Sequence, residues 1–457
     1  MKTKKLFYFI LVCYIGSGVS SCKKYLEATS DKKLAVISNL QDLQALLDAY
    51  NQINFVDAGI GEVCADNNYL TEEIWGGMDE YDQALYTWND FNVIPNYSVY
   101  TGNIWSNCYN IIYRANTVLL HIEKIKRTSE NAMEYDNIKG QAYFLRAKSY
   151  LQMAWIWCLA YDSVSGKSDL GLPLRLSPDF NEPSVRSNLY ETYKQVISDF
   201  KIAAQFLQEN PIHPIRPGKA AAYGYLSRCY LSMRKYQDAG TYSDSCLQIH
   251  NELMDFNTDI PDLNTTYPIP RLNKEVIYYT TMATPTPLYY GNVEPSLYNF
   301  YDAHDLRVKA YFKTLPDGSH SFHGSYNGDF IPFTGIATDE MLITFAECQV
   351  RKGNLQDGMK ALNYLIAKRW ESDYFVPFST NSNDEALAII LKERRKQLIY
   401  RDLRWMDIKR LNKENRNITL SRYVNGKQYI LHPNDLRYAL AIPEDIIVLS
   451  GMIQNPR

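Results

Sequence analysis

The chain has 457 residues, 46% of them apolar and 22% charged, with 48 Lys+Arg against 51 Asp+Glu and a formal charge of −3. That balance lacks the strong basic excess of a nucleic-acid binder, and the apolar share excludes disordered and fibrous classes. Tyrosine stands out, with 37 residues against 17 Phe and 7 Trp; its flat apolar face and polar tip suit polar ligands and wet interfaces, and plain helix packing equally well.

The first residues read as an address. Lys2, Lys4 and Lys5 form a positive start, and Leu6 to Ile15 is an apolar run too short for a bilayer, which needs about 20 such residues. Small residues follow from Gly16 to Ser21, so 1–21 reads as a secretory signal peptide. The tetrad Val19-Ser20-Ser21-Cys22 resembles a bacterial lipobox, in which Cys22 is acylated and becomes the first residue. The plainer alternative is an ordinary signal with a chance Cys at the cut. No later apolar stretch approaches 18 residues, so the expected attachment is an anchor, to which each buried acyl methylene contributes about 0.8 kcal/mol. Cys64, Cys108, Cys158, Cys229, Cys246 and Cys348 remain in the mature chain. They are widely spaced, mostly inside apolar helical patterns, and are expected as small buried hydrophobes; no C-x2-C metal spacing occurs.

Residues 22–37 read as a lipidated tether and 38–457 as one domain. Apolar residues at helical spacing predict a helix near 39–49. Residues 51–100 are loop-rich and aromatic. Long amphipathic helices are predicted at 105–125, 137–160 and 190–207, the last with Ser187 as its N-cap. Residues 219–249 predict a helix, a turn near Arg234-Lys235 and a second helix. Residues 257–335 are rich in Pro, Gly, Thr and aromatics and predict short strands with little helix. Helices return at 339–369 and 384–411. Asn425-Gly426 is a hairpin signal, and Leu440 to Pro443 reads as a strand-like piece. Two segments fit a helix–turn–helix unit of tetratricopeptide size. Leu226, Ser227, Tyr230, Ala239 and Cys246 supply one pattern of large and small residues; Ala346, Gly353, Leu355, Gly358, Leu362 and Leu365 supply the other. Such units bury their faces only by stacking. The predicted fold is mainly α: a helical scaffold at 104–250 and 339–411, supporting loop-rich parts at 51–100 and 257–335.

Catalytic signatures are absent from the sequence: no G-x-S-x-G, H-E-x-x-H, Walker A or dinucleotide-binding glycine pattern occurs. His320 and His323 lie close in a Gly/Ser-rich stretch, expected to be a solvated loop without a third metal ligand. Glu72-Glu73, Asp79-Glu80 and Glu444-Asp445 are expected to be surface charges. Sugars present flat C–H faces that Trp and Tyr rings can stack on. Trp75 and Tyr81 in a Gly-containing segment, Tyr289 and Tyr290 between Pro287 and Gly291, and Tyr326 beside Asn327-Gly328 are therefore the candidate ligand contacts. The bland alternative for each is a cover for a helix end or a satellite core. Trp105, Trp155, Trp157 and Trp405 lie on helical patterns and are expected in the core.

In their order along the chain, several segments resemble the SusD/RagB family of outer-membrane nutrient-binding lipoproteins of Bacteroidota. They are Cys22 with Tyr25-Leu26-Glu27, TWNDF (87–91), IWSNCYNIIYRANTVL (104–119), KGQAYFLRAKSYLQMAW (139–155), GLPLRL (171–176) with VRSNLYETYKQVISDFKIA (185–203), ERRKQLIYRDLRWMDIKRL (393–411) and AIPEDI…QNP (441–456). Tyr400-Arg401-Asp402 departs from the family's usual Glu-Gly before Arg404-Trp405. The resemblance implies four tetratricopeptide-like helix pairs under an irregular ligand-binding half. It implies no catalysis and no cofactor. The implied role is capture of glycan at the cell exterior, by a lipid-anchored lid over a TonB-dependent transporter of the SusC type. The family's ligand-binding aromatics lie in variable loops, so no site residue carries over. A binder of peptides or another nutrient on the same scaffold, a lipid-anchored glycoside hydrolase and a pure assembly scaffold remain as alternatives.

Overall fold

A computed structural model describes residues 37–89 and 102–457. The signal segment, Cys22 and the end of the TWNDF motif lie outside them. Helices of eight residues or more are α1 (Leu40–Leu47), α2 (Glu80–Thr87), α3 (Ile104–Ile122), α4 (Ala132–Trp157), α5 (Leu189–Phe206), α6 (Lys219–Ser232), α7 (Tyr236–Ile249), α8 (Thr338–Arg351), α9 (Leu355–Ala367), α10 (Asn383–Gln397) and α11 (Arg404–Asn412).

Local chemistry starts and stops these helices. Asn103 caps α3 by accepting from the Ser106 amide, and the α3 face Ile104, Cys108, Ile111, Ile112, Ala115, Val118 and Ile122 is buried. The cap of α5 is Asn188, one residue after the expected Ser187: Asn188 Oδ1 accepts from Glu191 N at 2.8 Å. The Ser187 hydroxyl instead meets Thr192 Oγ1 at 2.8 Å. The α6–α7 turn holds Arg234 at φ 61° and the α8–α9 turn holds Gly353 at φ 93°, left-handed conformations that reverse the chain within three residues.

Helices α3 to α10 stack in sequence order, each on the next, as repeat units do. Between α7 and α8 the chain leaves for residues 250–337 and returns. Those two helices still touch, because Gly240 faces Cys348: a Cβ there would sit 2.9 Å from the Cys348 Cβ. All the expected core tryptophans, Trp105, Trp155, Trp157 and Trp405, are buried. The six cysteines are buried and free.

Buried ion pairs lock the stack. Arg228 on α6 grips Glu340 on α8 through two bonds of 2.7 and 2.6 Å. Arg410 on α11 grips Glu347 on α8 at 2.6 and 2.8 Å, and Arg394 on α10 bonds Asp407 at 2.8 Å. The motif at 393–411 is thus a buried clamp. At its turn Tyr400 and Asp402 take φ of 57° and 59°. Both residues thus adopt the left-handed conformation that Gly favours.

Among the described residues the strands form five two-stranded antiparallel sheets: β1 (Asn68–Tyr69) with β5 (Asn292–Val293), β2 (Leu170–Pro173) with β3 (Arg186–Asn188), β4 (Val276–Tyr278) with β8 (Ile336–Ala337), β6 (Phe312–Thr314) with β7 (His320–Phe322), and β9 (Leu420–Val424) with β10 (Lys427–Leu431). Asn425 and Gly426, at φ 53° and 67°, turn β9 into β10 as expected. Three expectations need correction. Residues 51–88 hold short helices as well as loops. His320 lies on β7 and His323 just beyond it, both half-buried, where a solvated loop was expected. Leu440 to Pro443, expected as a strand-like piece, forms no strand, and a helix follows at Glu444–Ser450; Glu444 and Asp445 occupy its first turn, where acidic groups meet the positive end of the helix dipole. Among the described residues no helix is long and apolar enough to cross a membrane.

Candidate ligand-binding cleft

Two facing turns build the cleft. Pro285 precedes a short helix, Thr286–Tyr289. Gly291 then folds the chain back so closely that a Cβ would lie 2.4 Å from the Pro287 carbonyl oxygen. The next residues pair as β5 with β1. Tyr289 and Tyr290, caught at this reversal, point outward at 55% and 57% exposure. From the facing loop comes Phe330, 48% exposed, set by a turn in which Asp329 Oδ1 accepts from Ile331 N at 2.7 Å. The Tyr289 ring meets Tyr290 edge-on at 4.8 Å and Phe330 edge-on at 5.4 Å between centroids.

Beneath this platform is a cleft of about 270 Å³. Tyr267 and His323 form one wall, their rings stacked at 5.1 Å and 22°. Phe322 and Tyr400, edge-on at 4.9 Å, line it with Leu288 and Pro332. His323 Nδ1 lies 3.0 Å from the Thr266 carbonyl oxygen and Nε2 lies 2.9 Å from Ser321 Oγ. A carbonyl only accepts, so Nδ1 carries the hydrogen and Nε2 accepts from the serine. Burial holds the His323 imidazole below its usual range, and nearby Lys313 adds to this. Thr284 and Tyr400 line the cleft, and each carries a buried hydroxyl with no protein partner among the described residues. Unsatisfied buried hydroxyls are rare in folded proteins. Among the described residues no cluster of three or more His, Cys, Asp or Glu side chains could hold a metal ion.

The structure divides the five aromatic candidates. Tyr289 and Tyr290 are the open rings. Trp75 is half-buried: it packs with Ile74, Met78 and Tyr429 on a small cluster of Leu70, Tyr86 and Val424, and its indole N–H donates to Gln83 O at 3.2 Å. It covers a satellite core and does not line the cleft. Tyr81 is half-buried against the main core, where burial raises its phenol well above the usual range. Tyr326 is a correction. It is fully buried, with its hydroxyl 2.8 Å from Glu275 Oε2 and 3.1 Å from Asp339 Oδ2 and the Arg401 guanidinium 4.0 Å from its ring centre. Its Gly/Asn-rich loop folds inward at Tyr326 and emerges at Phe330. The exposed ring therefore belongs to the loop that was singled out, four residues on. Tyr267 and His323 were also missed as cleft residues. Tyr267 lies in the aromatic, proline-rich TTYPIP run, the signal that could have found it.

A larger groove of about 560 Å³ lies on the scaffold, between α3, the loop at 173–184 and the C-terminal helix. Its inner polar groups are already engaged. Tyr109 donates to Pro173 O, Asn116 donates to the Arg175 and Ser177 carbonyls, and Arg175 bonds the Glu182 carbonyl. On its rim the exposed rings of Tyr113 and Phe180 stack on each other, 4.8 Å between centroids.

Residues 24–231 match the SusD-like family described as starch-binding and associating with the outer membrane. No curated protein matches the sequence. Among solved structures, a SusD superfamily protein from Bacteroides thetaiotaomicron is 20% identical with a TM-score of 0.75, over 92% of this chain and all of its own. A SusD superfamily protein from Bacteroides vulgatus is 18% identical with a TM-score of 0.73, over 92% of this chain and 99% of its own. A SusD-like carbohydrate binding protein from Bacteroides vulgatus is 19% identical with a TM-score of 0.67, over 91% of this chain and 97% of its own. These likenesses give the fold, which is that of SusD superfamily structures, and over residues 24–231 the sequence matches the SusD-like family.

Proposed function

We propose that the protein binds oligo- or polysaccharide on the Tyr289–Tyr290–Phe330 platform and passes it to a TonB-dependent transporter of the SusC type. It does so as a lipoprotein held at the outer membrane through Cys22 and facing the cell exterior. The observation that carries this reading is the platform itself: three large rings left open to water at the mouth of a cleft. Aromatic rings are seldom exposed together without a role in recognition. Ser321 and His323 add polar side chains to the cleft wall below the rings.

The role is capture without catalysis. Glycoside hydrolysis by the common route needs two carboxyl groups about 5–9.5 Å apart across the bond. Tyr267, Thr284, Leu288, Tyr289, Gly291, Ser321, Phe322, His323, Phe330, Pro332 and Tyr400 line this cleft, and none of them is acidic.

The test is mobility of the full-length protein in detergent through native gels loaded with a polysaccharide panel. Retardation by a glycan, lost in Tyr289→Ala/Phe330→Ala with an unchanged melting temperature, is the expected result. Retardation unaffected by that variant would move the site elsewhere, and release of sugar from the panel would overturn the non-catalytic reading. Cys22→Ser should free the protein from the membrane, and protease added to intact cells should digest the wild-type protein.

A further inference from the structure

Several buried arginines meet carboxylates, on both sides of the fold: Arg228, Arg307, Arg369 and Arg410 each bond one within 2.8 Å. One recess on the loop-rich side is different. Next to the aromatic cleft lies a second cleft of about 380 Å³, walled by the loop Leu263 to Thr266, by Tyr298, by β6 and by Val308 and Lys309. Lys309 and Lys313 line it and no Asp or Glu does. Lys309 shares Glu371, at 3.2 Å, with His304, which lies 2.7 Å from the same carboxylate. Lys313 is exposed and has no ion pair among the described residues. The nearest loop carboxylates are engaged locally: Asp262 accepts from Asn264 N and Nδ2, and Asp317 from Ser319 N and Oγ.

The two clefts share one residue. His323 lines both, with Tyr267 on the aromatic side and Thr266 on the basic side. At about 270 Å³ the aromatic cleft is slightly smaller than the roughly 300–1,000 Å³ of ordinary ligand sites; the basic cleft that borders it at His323, at about 380 Å³, falls within that range. Resting on the glycan-binding reading above, we infer that the ligand is an acidic oligosaccharide, one ring on Tyr289 and Phe330 and a carboxylate or sulfate group at Lys313 and Lys309. An ammonium is a point charge that accepts either anion, and Asn264, Thr265 and Thr314 supply uncharged polar contacts beside it.

Calorimetric titration of the full-length protein in detergent tests this with two matched pairs. They are oligogalacturonate against its methyl ester, and dextran sulfate against dextran; a panel of neutral glucans, mannans and xylans runs beside them. The acidic member of at least one pair should bind about tenfold more tightly at low salt, with the gap closing as salt is raised. The pair that shows the gap separates carboxylate from sulfate. Lys309→Gln/Lys313→Gln should bring the acidic member down to its neutral counterpart, while Tyr289→Ala weakens both. A neutral glycan bound as tightly as any acidic one, with the lysine variant unchanged, would overturn the acidic ligand and leave glycan binding standing. Binding of no glycan of either class would overturn both.

Discussion

The helical stack and the aromatic clefts use charge and aromatic rings in opposite ways. In the stack, guanidinium and carboxylate groups are buried in pairs, as in Arg410 with Glu347 and Asp407, and the large rings are interior, as in Trp105 edge-on to Trp157 at 5.0 Å. At the clefts the rings of Tyr289, Tyr290 and Phe330 face water, and Lys313 has no ion pair among the described residues. The contrast separates what holds the fold from what meets a ligand. A buried pair orients two helices and is costly to break on one side; an exposed ring contributes little to stability and can change with the ligand.

The largest test falls on the stack. Arg410→Met leaves the Glu347 and Asp407 carboxylates buried without their shared partner, and should cost about 3–5 kcal/mol by chemical denaturation. A cost below about 1 kcal/mol would mean the clamp is not what fixes α11 on α8.

Next is a pH effect at a buried carboxyl. Glu62 is fully buried, its Oε1 accepting from Asn67 Nδ2 at 2.8 Å, and burial pushes its carboxyl up to about 7. A carboxyl raised in the folded state binds its proton more tightly there than when unfolded. Its contribution is therefore full below the ordinary carboxylate range and is lost as pH rises to about 7. Thermal melts should fall between pH 5 and 7 by on the order of 2–3 kcal/mol relative to Glu62→Gln. Equal slopes in both proteins would remove Glu62 as the cause.

Tyr326→Phe sharpens the division within one loop. It removes a hydroxyl from two buried carboxylates and should cost about 1–3 kcal/mol in a denaturant melt, with glycan affinity unchanged in the folded protein. Tyr289→Ala should do the reverse: a stability change within about 0.5 kcal/mol and a roughly tenfold loss of affinity. If Tyr326→Phe instead weakened binding without destabilising the fold, the division would fail.

The helices were legible because their signal is local. Apolar residues at three- and four-residue spacing mark α3, α4 and α6 to α9, and small residues such as Ala346 and Gly358 mark where helices touch: a Cβ on Gly358 would lie 2.6 Å from Val350 Cγ2. The short helices at Ile60–Cys64 and Glu72–Gly76 were not legible, since five residues carry too little periodicity. The site was half legible. Proline and glycine around Tyr289-Tyr290 announced an exposed turn. The same reasoning misplaced Tyr326, because a Gly/Asn-rich loop announces a turn without saying which of its residues faces inward.

By itself the sequence determined the stacked helices, the turn at Asn425-Gly426 and the burial of Trp105, Trp155, Trp157 and Trp405. Each follows from propensity and spacing over a few neighbouring residues. Only the tertiary structure decided that Phe330 joins Tyr289, that Trp75 covers a satellite core and that His323 stands between an aromatic and a basic cleft. Those outcomes depend on contacts between segments far apart in sequence, as where β1 pairs with β5, and no local pattern encodes the direction in which a loop side chain then points.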